Sequence, residues 1–556
     1  MPVEGSTQRR VLRLDARDNV LVALANLRKD EVVNFLGSNY TLLSDVSAKH
    51  KFLMQDVSAG GDIVMYGVLV GKAVENLRRG DLLSTRNIRH AAAGFHATAA
   101  TAASWTPPDV SAWAKRTFLG FHRADGQVGS RNYWLVVPLV FCENRNLAVL
   151  KQAFEEELGF AAPQIYRSQV AELARLYREG KSDELKNLAF GDRQRASALP
   201  RVFKNIDGVK FLMHEGGCGC THEDARNLCA LLAGYIHHPN VAGATVLSLG
   251  CQHSQVSMLL EEIKRRDPNF HKPVLIFEQQ SSPSEAAMMS KAIRDTFLGM
   301  VEADKITRQP APLSKLTLGL QCGGSDGFSG LSANPAIGHA ADVVAALGGK
   351  GILSEFPELC GVEQQLIDRC MRKEVGDRFA QLMREYAARA KAVGAGFEMN
   401  PSPGNIRDGL LTDAMKSAGA AKKGGTSPVT AALDYPEYCT EPGLNLQCTP
   451  GSDVESVSAQ VGAGSNVILF TTGLGTPTGN PIAPVLKIST NSNLAQRMAD
   501  IIDIDAGGII TGESSIEQMG ETILERVIQV TSGEARTKAE QLGQDDFIPW
   551  KRGVSL

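Results

Sequence analysis

The chain has 556 residues, of which 43% are hydrophobic and 21% are charged, and its formal net charge is −3. This length exceeds what one hydrophobic core usually supports, so we expect two to four domains of ordinary globular composition. The slightly acidic balance argues against nucleic acid as a partner. Every apolar run is shorter than the ~20 residues of a membrane span, which predicts no membrane segment.

The chain contains ten cysteines, whose chemical state depends on the redox conditions of the compartment in which the protein works. Its first fifteen residues, MPVEGSTQRRVLRLD, contain no apolar segment, which predicts no secretory signal peptide. We therefore expect a cytoplasmic, reducing environment. There the cysteines are thiols, metal ligands or core residues rather than disulfides.

The first part of the chain predicts a small β-rich domain followed by a linker. Residues 11–90 alternate short apolar segments with turn signals such as Gly60-Gly61-Asp62. His50 stands between two of these segments. It is either an exposed loop histidine or a residue of the functional site. Residues 91–115 are rich in Ala and Thr and contain Pro107-Pro108, which predicts a flexible linker.

The remainder predicts two α/β domains with mainly parallel sheets, over residues 116–310 and 311–556. Continuous apolar runs, such as Tyr133–Phe141 and Val209–Met213, end in polar loops and are followed by helical patterns. Strand, loop and helix in repetition are typical of this fold class. A Pro-rich stretch at 308–314 separates the two domains, and we expect a cleft between them.

Metal-ligand residue types follow several of these strands. The turn HEGGCGCTH places His214, Cys218, Cys220 and His222 between a strand and a helix. Because parallel strands share one carboxyl edge, residues at separate strand ends can converge on one cleft. These residues either bind a metal or pack in the hydrophobic core with no metal. The candidate ligands are His214, Cys218, Cys142, Cys251, Cys322 and Glu358.

Polar loops in the last domain predict a binding site for a polyhydroxy acid. CGGSDGFSGLSANPAIG at 322–338 and NPSPGN at 400–405 offer backbone N–H groups to a carboxylate or phosphate. Neither loop is a nucleotide-binding motif, so we expect no nucleotide cofactor. Glu355 and Lys423 are candidate acid/base residues, together with His50, although surface positions are equally open. The expected substrate-binding residues are Ser325, Asp326, Asn334, Asn405, Thr426, Thr472 and Lys487.

The same motifs resemble the altronate/galactarate dehydratase family over essentially the whole chain. AKHKF and VMYGVLVGKA resemble the SAF domain that begins these enzymes. The blocks DGQVGSRNYW, HEGGCG, CGGSDGFSGLSANPAIG, ILSEFPELCGVE, NPSPGN, KGGTSP and KRGVSL resemble the family's large portion, in the same order.

This resemblance implies the metal-dependent dehydration of a sugar acid. The cofactor would be Fe²⁺ or another divalent metal such as Mn²⁺ or Mg²⁺, as a single ion or an iron–sulfur cluster. A proton leaves C2, the C3 hydroxyl departs, and a 2-keto-3-deoxy acid forms. The substrate would be an altronate- or galactarate-like acid, and we expect a homo-oligomer, most simply a dimer.

Three positions depart from the family pattern. Ser84 stands where the family usually has histidine, and Leu474 stands in TGLG where TGRG is usual. Cys220 replaces a more apolar residue. These departures indicate a changed specificity pocket. Two alternatives therefore stay open: a sulfolactate-type sulfo-lyase on the same scaffold, and a non-catalytic protein that binds sugar acids.

Overall fold

A computed structural model describes residues 10–96, 105–161, 165–190 and 199–556 of the chain. The N-terminal domain is β-rich, as the sequence predicts. Its strands form small antiparallel sheets, β1-β2-β5, β3-β4 and β6-β7-β8, around buried residues such as Leu21 and Phe52. The strands are β1 Val11–Leu12, β2 Val20–Ala23, β3 Val32–Phe35, β4 Ser38–Thr41, β5 Lys51–Leu53, β6 Asp62–Met65, β7 Val68–Ala73 and β8 Ile88–Arg89.

The second domain is built on a parallel sheet of order β12-β11-β13-β14. Strands β11 and β13 are buried at every position, which explains their continuous apolar sequences. The elements are β9 Thr117–His122, β10 Val128–Gly129, β11 Tyr133–Pro138, α1 Asn144–Glu157, α2 Ile165–Arg178, α3 Ser182–Asn187, β12 Gly208–Phe211, α4 His222–His237, β13 Val241–Ser248, α5 Val256–Arg266, β14 Val274–Glu278, α6 Glu285–Ala303 and β15 Gln309–Pro312.

The C-terminal domain contains a seven-stranded sheet of order β18-β19-β17-β16-β20-β21-β22, and all its pairings are parallel. The elements are β16 Thr317–Cys322, α7 Ala333–Ala346, β17 Lys350–Leu353, α8 Glu363–Ile367, α9 Lys373–Ala392, α10 Pro403–Arg407, α11 Asp413–Ala420, β18 Val429–Leu433, β19 Gly443–Gln447, α12 Asp453–Gly462, β20 Val467–Thr472, β21 Val485–Ser489, α13 Ser492–Arg497, β22 Ile504–Asp505, α14 Gly508–Thr511, α15 Ile516–Thr531 and α16 Lys538–Leu542.

The strand order of this sheet locates a crevice. From β16 the chain adds β17, β18 and β19 on one side of the sheet, then returns to add β20, β21 and β22 on the other. The loops after β16 and β20 therefore diverge at the carboxyl edge. In open α/β sheets this is where ligands bind.

The N-terminal domain packs on loops of the C-terminal domain. The Lys49 ammonium lies 2.9 Å from Asp326 and 2.8 Å from Asp408, and the buried Lys51 ammonium donates to the Gly409 carbonyl at 2.6 Å. Gly409 has φ of +91°, and a Cβ there would lie 2.4 Å from the Lys49 carbonyl oxygen, so the contact requires glycine. These contacts hold two polar loops of the C-terminal domain in place: the loop between β16 and α7, which contains Asp326, and the loop after α10, which begins at Asp408.

Part of the predicted linker, residues 97–104, lies outside the described residues. The described parts on either side contact the C-terminal domain: Phe95 stacks with Arg384, and the Trp105 indole donates to Thr426. Among the helices of the described ranges, none combines the length and apolar content that crossing a bilayer requires.

Candidate active site

The crevice of the seven-stranded sheet holds a cavity of about 320 Å³. Its walls come from the ends of three strands: β16 ends at Cys322, the loop after β19 contributes Gly451 and Asp453, and Leu474 follows β20. Loops around α10 and α11 close the opposite side. The remaining lining residues are Gly323, Gly324, Ser325, Glu358, Met399, Asn400, Ser402, Asn405 and Lys416.

A fully buried ionic cluster forms the floor of this cavity. One ligand atom each of Cys322, Glu355 and Glu358 lies within 4.8 Å of the other two. The Lys423 ammonium lies 2.6 Å from Glu355 Oε2 and 2.8 Å from Cys322 Sγ, and Gln321 donates to the other Glu355 oxygen at 2.7 Å. Glu355 is completely buried and Lys423 is 1% exposed, so each charge depends on its partner.

The backbone at Glu355 is held in an unusual conformation. This residue follows β17 with φ of 65° and ψ of 60°, a left-handed conformation that non-glycine residues seldom adopt. Its N–H donates to the Thr449 hydroxyl at 2.9 Å. Such conformations persist where surrounding contacts enforce them, and they cluster at functional sites. Here the conformation directs the carboxylate toward Lys423 and Cys322.

Lys416 brings a positive charge to the cavity wall. Its ammonium lies 2.7 Å from Glu358 Oε1 and donates to Asn400 Oδ1 at 2.9 Å. Burial opposes this charge, but Glu358 and Cys322 outweigh burial and raise the pKa of Lys416 above its usual value. Burial also acts against the charged form of Glu358, yet Lys416 and Lys423 hold the pKa of Glu358 below its usual value. Both groups are therefore ionised near neutral pH.

Asp453 supplies a carboxyl group of different character. It begins α12 on the cavity wall, and burial, reinforced by the charges of Glu355 and Glu358, raises its pKa to about 7. A carboxyl group with this pKa exchanges a proton at physiological pH. Burial likewise raises the pKa of the Cys322 thiol well above its usual range, and the charge on Glu355 adds to the effect.

The predicted substrate-binding residues separate into two groups. Ser325 and Asn405 line the cavity, and Asn405 Nδ2 donates to the Ser325 carbonyl at 2.7 Å, which joins the two Gly- and Asn-rich loops. The others lie off its wall: Asp326 binds Lys49, Asn334 donates to Gly419, Thr426 donates to Asp342, Thr472 accepts from Gly475, and the Lys487 ammonium bonds to Gln544. In this arrangement each of them bonds to another group of the protein.

The predicted acid/base residues also differ in position. Glu355 and Lys423 lie in the cluster, behind Cys322 and Glu358. His50 lies outside it: the residue is half-buried in the N-terminal domain, and its Nε2 is 3.1 Å from the Arg407 carbonyl. His50 therefore does not line this cavity.

The turn at His214 belongs to a different cavity, of about 830 Å³, between the second domain and the C-terminal segment. His214 is buried, its Nε2 is 2.9 Å from the Pro138 carbonyl, and its Nδ1 accepts from Gly216 N–H at 3.1 Å. Both ring nitrogens are thus occupied, and the residue fixes the turn. A metal would have to replace one of these bonds. His222 begins α4, and Cys220 is buried beside Ser555.

Three other predicted ligands share the carboxyl edge of the second-domain sheet. Cys142, Cys218 and Cys251 are all exposed. Their loops are joined by backbone bonds, since Phe141 N–H donates to Gly216 at 3.0 Å and His253 N–H donates to Gly217 at 2.8 Å. The predicted metal ligands therefore fall into three places: the buried His214, these exposed thiols, and the buried pair Cys322 and Glu358.

Sequence reasoning missed Lys416, Asn400 and Asp453. Asp453 offered a signal, because it follows Gly451 just after a strand, as the other candidates do. Lys416 lies on α11, all eight residues of which are buried. A charged residue within such a helix needs a partner, but the sequence does not name that partner.

The donor set on the cavity floor fits a divalent metal. A thiol and two carboxylates are ligand types that Fe²⁺ and Zn²⁺ accept, and Cys322 and Glu358 face the cavity. The Lys423 ammonium is bonded to the same sulfur and to Glu355. A metal ion bound by those atoms would therefore replace the ammonium as the positive charge that neutralises them.

Comparisons with known proteins agree with this architecture. Family models match three parts of the chain: "Altronate/galactarate dehydratase SAF domain" over residues 9–91, "D-galactarate dehydratase/Altronate hydrolase, second domain" over 120–304, and "D-galactarate/Altronate dehydratase, C-terminal" over 313–555. The cavity and its cluster lie within the third match.

Whole-chain relatives give the same assignment. Altronate dehydratase of Escherichia coli (strain K12) is 31% identical over 98% of this chain and 99% of its own length. Galactarate dehydratase (L-threo-forming) of the same organism is 29% identical over 90% and 89%. The (2R)-sulfolactate sulfo-lyase subunit beta of Chromohalobacter salexigens is 28% identical over 78% of this chain and 97% of its own. The chain belongs to the altronate/galactarate dehydratase family.

Proposed function

We propose that this protein is a hydro-lyase that dehydrates a sugar acid to a 2-keto-3-deoxy acid. The observation that carries the proposal is the cavity in the crevice of the seven-stranded sheet, between the loops that follow β16 and β20. It joins a cation, Lys416, to a carboxyl group with a pKa of about 7, Asp453. The relatives named altronate and galactarate dehydratase support the reaction class.

Lys416 is suited to bind the substrate carboxylate. An ammonium has three N–H donors, and the bonds to Glu358 and Asn400 use two of them. The N-terminus of α12, the ten-residue helix that begins at Asp453, faces the same cavity and also favours an anion. Both groups stabilise the negative charge that grows on the substrate carboxylate as C2 loses its proton.

Asp453 is suited to move the proton. In its ionised form it takes the proton from C2, and the electrons of that bond form the C2–C3 double bond. The bond from C3 to its hydroxyl oxygen breaks, and Asp453 returns the proton so that water leaves. The resulting enol takes up a proton at C3 and releases the proton of its C2 hydroxyl, which gives the ketone. Because one residue serves both steps, the C2 hydrogen and the C3 hydroxyl must face it together.

We propose iron as the metal, held by Cys322 and Glu358 with Glu355 adjacent. Bound there, it would supply a Lewis acid. The thiol ligand favours Fe²⁺ over Mn²⁺ or Mg²⁺, which prefer oxygen ligands. The exposed thiols of Cys142, Cys218 and Cys251 are the competing location, since three cysteines can hold an iron–sulfur cluster. Visible absorption and Mössbauer spectra of the C322S and C218S variants separate the two locations.

We propose a substrate with one carboxylate, an altronate-like hexonate, over a hexarate with two. The family resemblance places an arginine where Leu474 stands, and Leu474 lines the cavity. An apolar side chain there gives a second carboxylate no cation. The homo-oligomer expected from the sequence stays a prediction, which size-exclusion chromatography with light scattering tests.

Turnover assays test the function. Iron-loaded protein is incubated anaerobically with a panel of hexonates and hexarates, and 2-keto-3-deoxy product is measured. We expect product from at least one hexonate. Activity should fall by ~10²–10⁴ in D453N. The matched control is E455Q, because Glu455 lies two residues further on the same helix but lines the other cavity. Equal activity in D453N and wild type would remove Asp453 from the mechanism.

The sulfo-lyase is the alternative reaction on this scaffold. It predicts sulfite from (2R)-sulfolactate and no product from any sugar acid, and the sulfo-lyase relative motivates the assay. Binding of hexonates without turnover in the iron-loaded protein would instead favour a non-catalytic role.

A further inference from the structure

The tail of the N-terminal domain meets the C-terminal domain at a second cluster of metal-ligand residue types. An imidazole nitrogen of His90, the Cys360 sulfur and a carboxylate oxygen of Asp413 all lie within 4.8 Å of one another. They come from three separate segments: the residue after β8, the loop after β17 and the start of α11. The sequence interpretation assigned a role to none of them.

Asp413 is the residue that points to a ligand. It is completely buried, and its Oδ2 atom has no nitrogen or oxygen hydrogen-bond partner among the described residues, while the Cys360 thiol interacts with the carboxyl group as a weak donor. The other oxygen receives only a long bond of 3.5 Å from the Ser417 hydroxyl. A buried carboxylate oxygen without an N–H or O–H donor is costly, because a thiol replaces little of the hydration that the oxygen loses. A cation at this position removes that cost.

The surroundings favour a cation as well. Glu358, Glu363 and Glu398 all act electrostatically on the cluster, and Lys416 is the opposing positive charge near Asp413. His90 Nδ1 holds only a 3.5 Å contact from Ala414 N–H, which is near the limit for a hydrogen bond. That nitrogen can exchange this contact for a metal at little cost.

Backbone packing fixes the three segments against one another. A Cβ built on Gly361, next to Cys360, would lie 3.3 Å from the Ala92 side chain and 3.3 Å from the Ala414 side chain. Gly361 has φ of +88°, so glycine permits both the turn and this close approach. The tail residue Ser84, where the family resemblance expects histidine, instead bonds locally to Asn87. His90 is the tail's histidine at this interface.

We propose that His90, Cys360 and Asp413 bind a divalent transition metal, Zn²⁺ or Fe²⁺, which fastens the N-terminal domain to the C-terminal domain. One nitrogen, one sulfur and one oxygen ligand with a water as the fourth form a common tetrahedral set, with bonds of ~2.0–2.3 Å. This site is separate from the Cys322 cluster, and it stands whether or not the proposed dehydration is correct.

Cobalt binding to the full-length protein tests the site. The C322S variant serves as parent, so that the cavity thiol does not contribute. Metal is removed with a chelator, Co²⁺ is added, and the thiolate-to-cobalt charge-transfer band is recorded together with bound metal per chain. We expect C360S in this background to lose about one equivalent of Co²⁺ and the corresponding part of the band. C370S is the matched control, because Cys370 is a buried thiol outside the cluster.

Single variants distinguish a built site from thiols that bind metal by chance. H90Q and D413N should each reduce the stoichiometry as C360S does, and each should abolish the rise in Tm that Zn²⁺ gives to the parent. Circular dichroism confirms that the variants are folded. Unchanged Co²⁺ stoichiometry in folded C360S and H90Q, or an equal loss in C370S, overturns the proposal.

Discussion

The two parallel sheets carry chemically similar residues at their carboxyl edges but treat them in opposite ways. At the second-domain sheet Cys142, Cys218 and Cys251 are exposed. At the seven-stranded sheet Cys322 is buried in a network with two carboxylates and two lysines. Burial makes each charge of the second network depend on its partner, whereas the exposed thiols are solvated independently. The consequences of substitution should therefore differ sharply between the two edges.

Removing Lys423 should give the largest effect. In K423M the Glu355 carboxylate loses its counter-charge within a fully buried site, so we expect a loss of about 3–5 kcal/mol in the free energy of unfolding. Turnover should become undetectable, since the cavity floor rearranges. Urea unfolding and the dehydratase assay measure the two effects.

The control for this variant is K487M, because Lys487 is equally buried but its ammonium bonds to the neutral Gln544 side chain. It should keep its activity. The double variant E355Q/K423M should regain part of the lost stability, because it no longer buries an unpaired charge. Equal destabilisation in the single and double variants would contradict the ion-pair interpretation.

The pH profile should show the next effect. If ionised Asp453 takes the C2 proton, kcat/KM should rise as pH increases through about 7, and this limb should vanish in D453N. The same pKa affects stability. The usual pKa of an aspartate side chain is about 3.8, so the folded state binds the proton more tightly than the unfolded chain does. The stability of wild type relative to D453N should therefore fall as pH rises from about 4 to about 7.

Replacing Leu474 sharpens the comparison within the cavity itself. L474R places a guanidinium at a lining position that is apolar in this chain. We expect the ratio of kcat/KM for a hexarate to that for the matching hexonate to rise by about tenfold, because one charge-assisted hydrogen bond contributes ~1.5–3 kcal/mol. L474M is the size-matched control and should leave the ratio unchanged. A loss of activity toward both acids in L474R would mean that the arginine blocks the cavity.

The sequence predicted the fold class and the family but only part of the site. Strand-end position places Cys322, Ser325, Glu355 and Glu358 in one region of the structure, because parallel strands share a carboxyl edge, and the NPSPGN loop adds Asn405. It could not separate Lys423 from Lys487, since both are buried and differ only in the partner that tertiary packing supplies. His214 had the residue type of a ligand, yet two backbone partners occupy its ring.

The smallest effects should come from the exposed thiols. Single Cys-to-Ser changes at 142, 218 and 251 should each alter the free energy of unfolding by less than about 0.5 kcal/mol, because surface substitutions remove few contacts. These thiols should react with iodoacetamide in the native protein, whereas Cys322 should react only after unfolding. Urea unfolding measures the free energies, and mass spectrometry of peptides measures the alkylation of each thiol before and after unfolding. If iron loading protects all three exposed thiols together, the metal resides at the second-domain sheet, and the difference between the two edges becomes a division between metal binding and proton transfer.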